Sequence, residues 1–149
     1  MSVIKKLGAR QNGFSLIEVM VAVFVLAIGL LGLAGLQVAS LKSNHSAQLR
    51  TEAVIHIYDI IDRMRINKQV AKAGGYDITL LGASPNSGSV VDNDLFAWKN
   101  ALSASLPLGP TGGGAITTVA GVTTITIQWD DSRGVNGNST QRFSMSTEL

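Results

Sequence analysis

Three residues near the start of the chain have types and spacing that could do chemistry: Gly13, Phe14 and Glu18. Glu18 is the one carboxylate in the run 14–36, FSLIEVMVAVFVLAIGLLGLAGL, which is otherwise apolar apart from Ser15. A carboxylate near the middle of a spanning helix costs roughly 2.5–3.5 kcal/mol, so Glu18 calls for a partner. If the chain were cut between Gly13 and Phe14, the new α-ammonium of a neighbouring copy could supply it. The alternative is a plain signal anchor with Glu18 at the headgroup level, where carboxylates are tolerated.

The element that positions these residues is a helix. Its 23 apolar-run residues span roughly 34 Å, enough for a hydrocarbon core of about 30 Å. Lys5, Lys6 and Arg10 precede the run, and the first charge after it is Lys42. The positive-inside rule therefore predicts a cytoplasmic N-terminus, with the rest of the chain across the membrane. A secretory signal fits worse, because its shorter apolar region ends in small residues and the cut follows it.

The order G-F-S-L-I-E over residues 13–18, behind a basic leader, resembles the prepilin signal of type IV pilins and related pseudopilins. The resemblance implies a cut after Gly13 by a prepilin peptidase and methylation of the new Phe14 amine. It also implies that Glu18 pairs with a neighbour's N-terminus in a filament. Residues 1–13 would be a leader, 14–36 a helix for the inner membrane lipid and then the filament core, and 37–149 a periplasmic head that later reaches the pilus surface.

Length allows one small domain beyond the spanning run and hardly two. The formal charge of +2 misleads: without Lys5, Lys6 and Arg10 the remainder holds nine basic and ten acidic side chains. A net of −1 argues against a general nucleic-acid surface, so no nucleic-acid partner is expected. The chain has no cysteine, so the head must hold by packing, unlike the many pilins that close a C-terminal loop with a disulfide.

Residues 37–72 contain no proline or glycine, and Leu41, Leu49, Val54, Ile57, Ile60, Ile61 and Met64 recur at helical spacing. One helix of about 55–60 residues is predicted, apolar all round at first and amphipathic later, with Gly74-Gly75 as its stop. Asp59 and Arg63, and Asp62 and Arg65, suit a solvated face. Gly29, Gly32 and Gly35 read as ordinary glycines of a spanning helix, or as sites of local melting on leaving the bilayer.

A loop is predicted over 76–92, then a short helix from an Asp92-Asn93 cap, carrying Leu95, Phe96, Trp98, Leu102 and Leu106 and ending at Pro107. Residues 110–114 read as a flexible loop. The stretch 122–129 alternates, with Ile125, Ile127 and Trp129 on one face and Thr124, Thr126 and Gln128 on the other, as in a half-buried strand. Residues 115–119 pair with it through Ala120-Gly121, and 141–147 form a last strand with Phe143 and Met145 inward. The fold class is α+β: a long N-terminal helix, half transmembrane and half amphipathic, packed on a small antiparallel sheet.

The run D-R-M-R-I-N at 62–67 followed by Tyr76, the Trp98 helix running into Leu106-Pro107, and the strand end I-T-I-Q-W resemble PilV-like minor pilins. This implies a type IV pilin fold and a role in starting or capping a pilus. The implied partners are other minor and major pilins. A type II secretion pseudopilin and a DNA-uptake minor pilin are the alternatives.

No enzyme, cofactor or small-molecule substrate is expected. Zinc–thiolate and thiol chemistry are excluded by composition. His45 and His56 are separated by about 16 Å of helical rise, too far to share a metal. Asp130-Asp131-Ser132 and Asp92-Asn93-Asp94 offer hard oxygens but lack the spacing of a calcium loop, so turn and cap roles are expected and no metal. Arg63, Arg65 and Lys68 form a basic cluster offset by Asp59 and Asp62.

Overall fold

The structure, a computed structural model, describes residues 13–83, 88–134 and 137–149. The leader expectation for residues 1–12 lies outside the described residues. The elements run α1 (Leu16–Ile66), α2 (Lys68–Lys72), α3 (Val90–Ser105), β1 (Gly113–Val119), β2 (Val122–Asp131) and β3 (Asn138–Glu148). The chain forms two compact units, Met1–Val38 and Ala39–Leu149.

In the second unit, α1 buries Leu49, Ala53, Ile57, Ile60, Ile61 and Met64. These lie four, four, three, one and three apart, a single stripe at the helical period. They share one core with Leu95, Trp98 and Leu102 of α3 and with Ile116, Ile125, Ile127 and Trp129 of the sheet. Burying each large apolar side chain contributes about 1.5–3 kcal/mol, so with no disulfide this layer stabilises the head. Leu41, placed in the apolar pattern, is instead 69% exposed.

The predicted single helix is interrupted. Asn67 leaves the helical region at φ −110°, ψ 44°, and α2 restarts at Lys68. Asparagine favours such a break because its side chain competes for local backbone groups. The glycine stop is present: Gly74 takes φ 80°, its N–H donates to Ala71 O and that of Gly75 to Val70 O. This pair of bonds is a Schellman closure.

The N-cap of α3 is Ser89, not Asp92-Asn93. Ser89 Oγ accepts from the Asp92 N–H while Asp92 Oδ2 accepts from the Ser89 N–H, a reciprocal capping box. Within the predicted 76–92 loop, residues 76–82 are tied to the rest of the head. Tyr76 is fully buried, and Ile78 bridges to Ile116. The Lys99 ammonium donates to the carbonyls of Thr79, Leu80 and Gly82 at 3.0–3.1 Å. Burial lowers the Lys99 pKa from its ordinary value.

The sheet is antiparallel in the order β1-β2-β3. Its first hairpin turns on Ala120 (φ 50°) and Gly121 (φ 82°), the two left-handed positions of a two-residue turn. Ile125, Ile127 and Trp129 face the core as expected, with Phe143 and Met145 packed at its margin. Gln128, expected on the solvent side, is buried: Nε2 donates to Thr111 O at 2.7 Å, and Oε1 accepts from Arg142 Nε. Residues 113–114, expected in a flexible loop, belong to β1, and a Cβ on Gly114 would collide with the Trp98 ring and Leu102.

Candidate functional site

The residues singled out by type and spacing lie in the first unit. Gly13, Phe14 and Ser15 precede α1 as non-helical chain. The Ser15 carbonyl opens the helix, accepting from Glu18 N at 3.0 Å and Val19 N at 3.2 Å. Glu18 therefore stands in the first turn, where the helix dipole favours a negative charge by about 0.3–1 kcal/mol. Glu18 makes no salt bridge among the described residues.

From Leu16 to Val38 the large apolar side chains of α1 are more than half exposed, Leu16 by 80% and Leu36 by 71%. Among the described residues this is the one helix long and apolar enough to cross a membrane. An all-round apolar helix demands an apolar surrounding, either lipid or sister helices. The site is thus a helix start bearing one carboxylate, with a non-helical Gly-Phe junction four to five residues before it.

Several of the side chains considered for other chemistry have structural partners. Asp59 pairs with Arg63 at 3.2 Å and Asp62 with Arg65 at 2.9 Å. Arg63 also reaches Asp94 of α3 at 3.3 Å. Burial alone would lower the Arg63 pKa, but Asp59 and Asp94 more than offset it and the net shift is upward. His56 Nε2 shares a hydrogen bond with Ser105 Oγ.

Asp130 Oδ1 accepts from the Ser132 N–H at 2.9 Å, which holds its carboxyl below the usual range. Asp131 Oδ1 accepts from Ser46 Oγ at 3.1 Å, tying the β2–β3 turn to α1. Asp92 caps α3 and Asp94 binds Arg63 and Tyr76. Both acidic runs are turn, cap and bridging groups, and the described residues hold no set of three metal-ligating side chains. The Arg63–Asp94–Tyr76 cluster was the part that spacing missed. Its signal was a tyrosine and an aspartate outside the helix that carries the arginine.

Residues 8–34 match the prokaryotic N-terminal methylation motif, a stretch that contains Gly13, Phe14 and Glu18. No curated protein and no solved structure matches the chain. The motif supports a prepilin-type protein, similar to type IV pilins, of the kind processed and assembled into a pilus or pseudopilus. The long N-terminal helix and three-stranded antiparallel sheet are consistent with the α+β fold of type IV pilins.

Proposed function

We propose that the chain is a PilV-like minor type IV pilin, non-enzymatic, acting in pilus initiation or at the tip. The observation that carries the reading is the N-terminal methylation motif at residues 8–34, set on a helix whose apolar surface surrounds a single carboxylate. A prepilin peptidase cleaves after Gly13, and the Phe14 amine is methylated. Residues 14–36 anchor the subunit in the inner membrane, N-terminus in the cytoplasm, and later enter the filament core. Glu18 then pairs with a neighbour's α-ammonium, so each subunit is set at one height along the next.

Residues 37–149 form the periplasmic head that meets other minor and major pilins. Ile55 and Tyr58, each about half exposed on α1, offer an apolar strip for such contacts.

The test is the N-terminus and intact mass of the protein in sheared surface filaments and in membranes. A chain beginning at N-methylated Phe14 in sheared material is the expected result. Processed protein confined to membranes would favour a secretion pseudopilin or a role at the assembly base instead of a place in the surface pilus. A chain still beginning at Met1 would reduce residues 14–36 to a plain anchor and overturn the proposal.

A further inference from the structure

Strand β3 closes the sheet with an edge that no other strand covers among the described residues. On the far side of the sheet, Ile78 and Ile116 exchange both backbone hydrogen bonds at 2.9 Å. Ile116 is thereby turned away from β2, so Ile125 opposite it is turned to β3, and Met145 opposite Ile125 is turned to β2. Alternation along β3 then turns the N–H and C=O groups of Arg142, Ser144, Ser146 and Glu148 away from the sheet. No backbone bond covers them among the described residues. The register is regular from Gln141 to Glu148, and this stretch has no proline, lysine or bulge to blunt the edge.

The side chains along this edge complement themselves about Met145. Two such strands set antiparallel, with Met145 opposite its own copy, place Ser144 against Ser146, Phe143 against Thr147 and Arg142 against Glu148. The outward-turned residues then fall at the hydrogen-bonded positions, each pairing exchanging two backbone bonds. Met145, Phe143 and Thr147 fall at the closer, non-hydrogen-bonded positions. Hydroxyl, aromatic–β-branched and opposite-charge pairs are all favourable across antiparallel strands. Phe143 and Met145 are only partly buried at the core margin, so the pairing also covers apolar surface on both copies.

Both charges are available for it. Arg142 and Glu148 are exposed, and neither makes a salt bridge among the described residues. Arg142 spends Nε on Gln128 Oε1, which holds the side chain beside the strand and leaves the terminal nitrogens of its guanidinium to donate to Glu148. The charges also select the register. Moving the dyad to Ser144 would face Arg142 with Ser146 and Glu148 with Thr140.

We infer that the β3 edge pairs with the β3 edge of a second copy of this chain, antiparallel, with Met145 on the two-fold axis. The inference uses the unit Ala39–Leu149 alone and does not rest on the pilin reading.

The test uses the full chain in detergent, with micelles in excess over chains, followed by analytical ultracentrifugation. A reversible dimer is expected. Ser144→Pro removes one outward N–H from each copy and keeps the β2–β3 ladder, since proline is tolerated where an edge N–H faces out. It should raise the dissociation constant at least tenfold with unchanged circular dichroism. Arg142→Glu sets two carboxylates opposite each other and should weaken the dimer, and adding Glu148→Arg to the same chain should restore it. The chain has no cysteine of its own, so the register can be read by cross-linking with oxidised glutathione. Met145→Cys places two Cα atoms about 4.5 Å apart on the axis, within disulfide range, and should cross-link. Thr147→Cys leaves its two copies about 13 Å apart along the strands and should not.

A wild type that stays monomeric would overturn the inference and leave the edge to solvent or to a segment of another chain. A dimer that Ser144→Pro leaves intact would overturn it too, placing the contact elsewhere on the chain. Equal cross-linking of the two cysteine variants, or no recovery in the double charge reversal, would overturn the register about Met145.

Discussion

The Tyr76 hydroxyl donates to Asp94 Oδ2 at 2.7 Å, while Asp94 Oδ1 accepts from Arg63 at 3.3 Å. One carboxylate on α3 thereby ties together the end of α1 and the chain just beyond the α2 glycine stop. The Asp94 side chain is only 18% exposed, so its bonds are shielded from competing water. Asp94→Ala should remove the acceptor of a buried hydroxyl and strip Arg63 of its link to α3, costing about 2–3 kcal/mol in urea unfolding followed by tryptophan fluorescence. Tyr76→Phe removes the donor and its need together, and should cost only about 1 kcal/mol. Equal losses for the two variants would sink this account of Asp94.

Tyr76 should also report on its surroundings through pH. Burial first, and the Asp94 hydrogen bond second, push its pKa from 10.0 up to about 12. The folded chain thus holds this proton more tightly than the unfolded chain. The stabilisation is full below pH 10 and is lost as pH rises through about 12. The difference in tyrosinate absorbance between wild type and Tyr76→Phe isolates this titration. A midpoint near 10 in the folded chain would contradict the buried, Asp94-bonded hydroxyl.

Gly114 is required by close approach rather than by backbone angle. A methyl group there would run into the Trp98 ring and Leu102 Cδ1, both inside the core. Trp98 has little freedom to move, because its Nε1 donates to His56 O at 2.9 Å. Gly114→Ala is therefore expected to destabilise the head by about 1–3 kcal/mol, the range for overpacking a filled core. Gly121→Ala serves as the comparison: space there is open, and only the φ of 82° opposes the substitution. A Gly114→Ala head as stable as the wild type would show that the tryptophan can shift.

These particulars show what was legible in the sequence and what was not. The α1 stripe from Leu49 to Met64, the alternation of Ile125, Ile127 and Trp129, and the Gly74-Gly75 stop could be read because periodicity and glycine chemistry are local. The α3 cap was assigned three residues late, although Ser89-x-x-Asp92 is a local signature, because Asp92-Asn93 carries the same capping chemistry. Gln128 and Gly114 could not be read. Both depend on what lies across the fold, the Thr111 carbonyl for one and the Trp98 ring for the other. At the candidate site, Gly13, Phe14 and Glu18 were legible as a pattern, which lies within the matched methylation motif, whereas the pairing proposed for Glu18 lies between chains and has no counterpart within one.

That pairing yields the sharpest test of Glu18. A carboxylate at the centre of a spanning helix costs roughly 2.5–3.5 kcal/mol, which is the upper bound for Glu18 near the helix start. Its position in the first turn recovers at most about 1 kcal/mol from the helix dipole. The remainder favours any arrangement that brings a cation to Glu18, and a neighbour's α-ammonium is the cation the cut after Gly13 would create. Glu18→Ala should insert at least as well as wild type and be processed normally, yet its amount in sheared filaments should fall at least tenfold. Glu18→Gln keeps hydrogen-bonding capacity without charge and should fail likewise, whereas Glu18→Asp should retain part of the incorporation. Quantitative blotting of membrane and filament fractions separates the outcomes. Normal incorporation of the Glu18→Ala chain would remove Glu18 from the assembly mechanism while leaving the anchor intact.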